Sequence, residues 1–228
     1  MPNYPQRICA VVLANERTEF LQNLKVAQQH ADYVELRIDY LPPFNLHDLK
    51  AIRKQVYKPA IFCCRAQAEG GQFQGTTAQQ NNILQQANDL GFDYLDIDVE
   101  LANIIQIKNK KSKIILSYHN FEITPDLNDL QSIAEQMRFY KPDIFKFAVM
   151  INNFNDAKIL LQFLLNKKNS EEMIMIGMGE HGKIIRLLAP FLGSYLTFAS
   201  VNDNESAPGQ IDVSEMRNLY QQISKLLV

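Results

Sequence analysis

Asp143-Ile-Phe-Lys-Phe-Ala-Val-Met150 places one cation, Lys146, inside a run that otherwise reads as a buried strand. Seven further runs share its apolar, β-branched character: ICAVVLA from Ile8, YVELRID from Tyr33, AIFCCR from Ala60, YLDIDVE from Tyr94, KIILSYH from Lys113, MIMIGMG from Met173 and YLTFAS from Tyr195. Their starts lie about 27 residues apart, the length of one strand, one helix and two short loops. Amphipathic stretches occupy the gaps. ERTEFLQNLKVAQQH from Glu16, TTAQQNNILQQANDLG from Thr76 and DLNDLQSIAEQMRFY from Asp126 carry apolar residues at three- and four-residue steps, and Gly91 is placed to cap the second. The stretch after Glu100, LANIIQIKNKK, is short for a helix. Strand and helix in alternation mark parallel βαβ units, and eight of them predict a closed (β/α)8 TIM barrel with residues 1–228 as a single α/β domain. An open doubly wound sheet with fewer true strands is the structural alternative.

With 23 basic and 25 acidic side chains among 228 residues, and no block of like charge, the chain carries no electrostatic signature for nucleic acid or a membrane surface. The opening MPNYPQRICAVVLA has too short an apolar stretch for a secretory leader or a membrane span, so a cytoplasmic protein is the expectation. Cys9, Cys63 and Cys64 include an adjacent pair and form no CxxC, which argues against a disulfide framework or a zinc site.

Groups that are costly to bury gather at the strand ends: Glu35, Arg37 and Asp39; Arg65 then Glu69; Asp96, Asp98 and Glu100; Ser117 and His119; Lys146. Singly, each has a bland reading as an ion pair or a loop-capping group. In a barrel they share one rim, where functional side chains converge on a pocket. For Lys146 the bland reading is an ammonium that snorkels to the sheet edge. If it is enclosed, desolvation and neighbouring cations such as Arg65 or Arg37 favour the neutral amine, a shift from about 10.4 to about 7.5 that costs roughly 4 kcal/mol. A neutral enclosed lysine suits attack on a ketone or aldehyde to form a Schiff base. His119, at the end of the preceding strand, supplies a proton shuttle of near-neutral pKa; a core or metal-bound histidine is the alternative, though no paired metal-ligand spacing is present. Arg186 follows GMGEHGKII where a guanidinium fork could hold a carboxylate, although spacing alone favours a surface charge. Gly177-Met-Gly-Glu-His-Gly182 satisfies GxGxxG and continues to Lys183 as GxxxxGK, but Ile184 stands where magnesium needs Ser or Thr, and too little chain follows for the rest of a nucleotide fold. These glycines are expected to let backbone approach the pocket at the seventh strand end.

Taken together, ELRID at Glu35, CRAQAEGG at Cys64, DIDVEL at Asp96, SYHNFEITP at Ser117, FKFAVM at Phe145, MGEHGKIIR at Met178 and SAPGQI at Ser206 resemble type I 3-dehydroquinate dehydratase, nearly end to end. The resemblance implies a TIM barrel that dehydrates the small molecule 3-dehydroquinate to 3-dehydroshikimate without metal or organic cofactor, in the shikimate pathway, as a cytoplasmic homodimer. It implies that Lys146 attacks the ring ketone, that His119 moves protons, and that Glu69 orients His119. Glu35 and Arg37 would bind ring hydroxyls, Arg65 would line the substrate pocket, Arg186 would hold the carboxylate, and Ser206 and Gln210 would lie on a closing loop. Ile185 stands where the family usually has Ser. Two other readings share parts of this pattern: a class I aldolase-like Schiff-base lyase, and a non-catalytic barrel that binds a hydroxy acid.

Overall fold

A computed structural model describes residues 6–202 and 207–226. Eight parallel strands, β1 (Ile8–Val12), β2 (Tyr33–Arg37), β3 (Ala60–Cys63), β4 (Tyr94–Asp98), β5 (Lys113–Asn120), β6 (Ile144–Met150), β7 (Met173–Met178) and β8 (Thr197–Ala199), form one sheet. The order is β7-β6-β5-β4-β3-β2-β1-β8. The two ends of the sheet meet ahead of β8, where Tyr195 N donates to Met173 O at 2.7 Å and Met175 N donates to Ser194 Oγ at 3.1 Å. The architecture is a nearly closed TIM barrel, as the eight units predict.

Helices alternate with the strands: α1 (Arg17–His30), α2 (Leu46–Gln55), α3 (Thr77–Asp89), α4 (Leu127–Phe139), α5 (Phe154–Leu165), α6 (Lys183–Leu188) and α7 (Val213–Leu226). Local chemistry explains their starts. Asn45 and Thr76 form capping boxes with Asp48 and Gln79, and Asp126 and Asn153 cap α4 and α5 with their side-chain oxygens. After α3, Gly91 takes a φ of 74°, the left-handed conformation that ends helices and that glycine adopts without strain. Between β4 and β5 the short segment after Glu100 makes only a 3-10 turn, Val99–Leu101, and no α-helix.

Strand alternation sorts the core into two layers. On β6, Phe145, Phe147 and Val149 face outward into the apolar layer beneath the helices, while Ile144 and Ala148 belong to the cluster inside the barrel. Lys146 shares that inner parity. The inner cluster also holds Val11, Ile61, Ile115, Ile174 and Ile176. At the N-terminal end of the barrel the hydroxyl of Tyr195 meets those of Tyr33 at 3.1 Å and Tyr94 at 2.9 Å, closing the floor with aromatic rings whose polar tips satisfy one another. The charged side chains of the barrel interior gather at the opposite end. Among the described residues no helix is long and apolar enough to cross a membrane.

Candidate active site

A cleft opens at the C-terminal ends of the strands. Lys146, His119, Glu35, Arg37, Arg65, Arg186 and Gln210 all line it, drawn from segments that span most of the chain. Register explains the convergence: Ser117 pairs with Lys146 across β5 and β6, and Asp98 pairs with Ser117 across β4 and β5. Residues two apart on a strand share a face. His119 thus stands above Ser117 on the inner face, one step up the barrel from Lys146. Phe121, Ile176, Met178, Phe198 and Ala207 complete the wall with apolar surface.

Lys146 is enclosed, with 6% of its surface exposed. The snorkelling alternative is excluded by that burial. Its charge state differs from the expectation. Burial by itself pulls the ammonium pKa down, but the Asp96 carboxylate at 2.7 Å and Glu35 at 3.7 Å outweigh burial and hold it above the ordinary lysine value. Arg65 does favour the neutral amine, as expected, but by less than the two carboxylates favour the charged one. The resting amine is an ammonium, with its cationic end also 4.6 Å from the centre of the Phe198 ring.

Asp96 is the centre of this network. Its carboxylate accepts from Lys146 Nζ, from Arg65 Nη2 and from Ser117 Oγ, the last at 2.7 Å. Burial raises its pKa, and the two cations more than reverse that, leaving it well below the usual carboxylate range. The sequence displays Asp96 and Asp98 as strand-end acids and gives neither a role; the signal available was their i, i+2 spacing, which aims both into the barrel.

His119 is held neutral. Burial first, then the neighbouring Arg65 charge, lower its pKa to about 3. Its ring lies nearly parallel to that of Phe121, with centroids 6.1 Å apart. Nδ1 sits 3.1 Å from Asp98 Oδ2 and 2.8 Å from Arg65 Nη1. Glu69, expected to orient this imidazole, accepts from Gln80 Nε2 at 3.4 Å and lies near Arg65 and Asp98. Asp98 arrives from the adjacent strand β4.

Arg37 is gripped by Asp39 through Nε at 2.9 Å and Nη2 at 2.7 Å, and the same Asp39 accepts from Gln72 N at 3.1 Å. Such a fork fixes the guanidinium plane. Arg186 lies within α6 with 0% of its surface exposed, so the surface-charge alternative fails. Its Nη1 donates to Phe198 O at 3.3 Å, and its own carbonyl accepts from Tyr220 of α7. Ile185, beside it, is fully buried in the outer core. Gln210 is buried at the cleft; Ser206 lies outside the described residues.

The glycine motif serves packing. A side chain on Gly182 would overlap the Gly177 carbonyl, and one on Gly209 would overlap that of Gly179, so these glycines let backbone segments approach each other. The close approach expected at the seventh strand end is one of chain to chain. Glu35, Cys63 and Asp96 bring potential metal-ligand atoms within 4.8 Å of one another. Both carboxylates already face Lys146, and Asp96 also holds Arg65, so the charge that a cation would balance is already balanced.

The model for the type I 3-dehydroquinase family matches residues 8–227. A 3-dehydroquinate dehydratase of Coxiella burnetii (strain RSA 493 / Nine Mile phase I) is 54% identical over 226 residues, covering 99% of this chain and 97% of that protein. One from Methanocaldococcus jannaschii is 34% identical over 220 residues, covering 94% and 97%. The crystal structure of 3-dehydroquinate dehydratase from Geobacillus kaustophilus HTA426 superposes with a TM-score of 0.88 at 26% identity, covering 97% of this chain and 92% of the other. With its motifs on the rim of a matching barrel and the family model spanning nearly its whole length, this chain belongs to the type I 3-dehydroquinase family.

Proposed function

We propose that the chain dehydrates 3-dehydroquinate to 3-dehydroshikimate through an imine on Lys146, with His119 moving the protons. Membership of the family makes the protein an enzyme of the carbon-oxygen lyase class. The observation that carries the reading is an enclosed amine and a neutral imidazole facing one cleft from adjacent strands, with a buried guanidinium in its wall.

Because Lys146 rests as an ammonium, it must lose a proton before it can attack. Neutral His119 is the available acceptor. The freed amine adds to the ring ketone, and the ketone oxygen leaves as water with the proton that the His119 imidazolium returns to it, leaving an iminium and a neutral imidazole. That positive nitrogen withdraws electrons and acidifies the neighbouring C–H, whose proton passes to His119. The hydroxyl one carbon further then leaves as water, taking a proton from the imidazolium. Hydrolysis of the imine restores Lys146 and releases the conjugated ketone. Glu35 and Arg37 bind ring hydroxyls, Arg65 lines the pocket, and Arg186 holds the carboxylate. Gln210 and Ser206 belong to a loop that closes over the ring and excludes water. A homodimer and a cytoplasmic setting, supported by the family resemblance, complete the proposal; light scattering on the eluted protein checks the first.

Borohydride added with 3-dehydroquinate is expected to leave a reduced adduct on Lys146 by mass spectrometry, and without borohydride absorbance of the conjugated product should grow. Adduct without that absorbance would favour an aldolase-like lyase, and neither signal would leave a binding protein. Lys146→Ala is expected to abolish turnover while substrate still binds; comparable activity would remove the covalent route. His119→Ala is expected to form the imine and stall, seen as accumulated adduct.

A further inference from the structure

His119 can take the proton of a C–H only if its cleft-facing nitrogen carries a lone pair, which requires the other ring proton on Nδ1. Nδ1 is bracketed by two groups that ask for opposite tautomers. Asp98 Oδ2 at 3.1 Å accepts a proton from Nδ1, whereas Arg65 Nη1 at 2.8 Å donates one to it. The two are not equally free to move. Arg65 lines the cleft and keeps Nη2 on Asp96 at 2.6 Å, so Nη1 can turn to a substrate oxygen while the guanidinium stays anchored. Asp98 is fixed: its other oxygen, Oδ1, accepts from Glu100 N at 3.1 Å, the cap of the turn Val99–Leu101.

We propose, on the reading above that His119 is the proton shuttle, that Asp98 is its positioning residue. Once substrate draws Arg65 aside, Asp98 holds the Nδ1 proton and leaves Nε2 as the base. When Nε2 then gains a proton, the carboxylate stabilises the imidazolium that must reprotonate the leaving hydroxyl. Glu69 accepts from Gln80 Nε2 at 3.4 Å, and no hydrogen bond joins it to His119 among the described residues. The charged groups that face His119 are Arg65 after β3, Asp96 and Asp98 on β4, and Lys146 on β6; of these only Asp98 offers an acceptor within hydrogen-bond reach of Nδ1.

Asp98→Asn tests this with little change of shape. The Glu100 amide would keep the Asn oxygen, turning the NH2 group to Nδ1 and enforcing the wrong tautomer. The expected result is a kcat lower by roughly 10²- to 10⁴-fold, with KM within about threefold and the borohydride adduct still formed. Adduct formation shows that the variant folds and binds. The ¹⁵N signature of His119 in the reduced adduct should report Nδ1–H in the natural protein and Nε2–H in the variant. The inference is overturned if Asp98→Asn keeps kcat within about threefold, if its tautomer is unchanged, or if Glu69→Gln produces the larger loss. A natural enzyme that neither traps nor turns over 3-dehydroquinate would instead sink the function on which the inference rests.

Discussion

Asp96 decides the charge of Lys146, and so sets what the amine needs before it can react. In the folded protein the lysine is charged up to and beyond its ordinary value, so imine formation in the empty site is limited by the small neutral fraction. The rate of borohydride trapping is therefore expected to climb with pH through the neutral range. Asp96→Asn removes the closest counter-charge while Arg65 remains, so the rise should move to lower pH, and an unmoved profile would show that Asp96 does not govern the amine. This variant should also be less stable, because two buried cations lose their shared partner, a loss on the order of 3–5 kcal/mol for a broken buried pair. Urea titration measures it. The lysine, the histidine and the arginines were legible in the sequence because such groups are conspicuous among apolar neighbours. The lysine's charge was not, since it depends on Asp96 reaching it from fifty residues away through a register that no local pattern specifies. The same holds for the Asp98 carboxylate, which reaches His119 across the register of β4 and β5.

The strands were legible as elements because apolar runs of this length, separated by amphipathic stretches, have few other solutions. β6 matches its run from Ile144 to Met150. Other runs stop early. YVELRID and YLDIDVE end as strands at Arg37 and Asp98, where the chain tightens into 3-10 turns that carry Asp39 and Glu100 off the sheet. In both runs polar and apolar residues keep alternating through Ile38 and Val99 into the turn, so composition does not mark where the strand ends. The contact between Gly177 and Gly182 is a second feature set by packing. It seats the start of α6 on the end of β7, and α6 bears Arg186. Gly182→Ala is expected to lower stability by about 1–3 kcal/mol by forcing these backbones apart. It should also raise KM for 3-dehydroquinate, since Arg186 moves with its helix. A variant with native melting temperature and native KM would show that the contact can relax without consequence.

For the whole molecule, concentrating ionisable groups at one end of the barrel makes stability depend on acidity. Folded His119 stays neutral down to about pH 3, whereas in the unfolded chain it binds a proton near its ordinary value of 6.5. Over that window the unfolded state holds more protons, so stability is full above it and falls as pH descends through it. Asp96, kept ionised by Lys146 and Arg65, adds a loss at still lower pH. Thermal midpoints recorded across this range should fall in the natural protein and fall less between about pH 6.5 and 3 in His119→Gln. Equal slopes would place the acid sensitivity elsewhere. The three thiols add a practical property of the folded barrel. Cys9, Cys63 and Cys64 are buried, and burial pushes each thiol pKa well up, so none presents a thiolate to an alkylating reagent. Iodoacetamide should consequently modify the chain only as often as the barrel opens, making the slow uptake of carbamidomethyl mass a built-in clock for how frequently the native state comes apart.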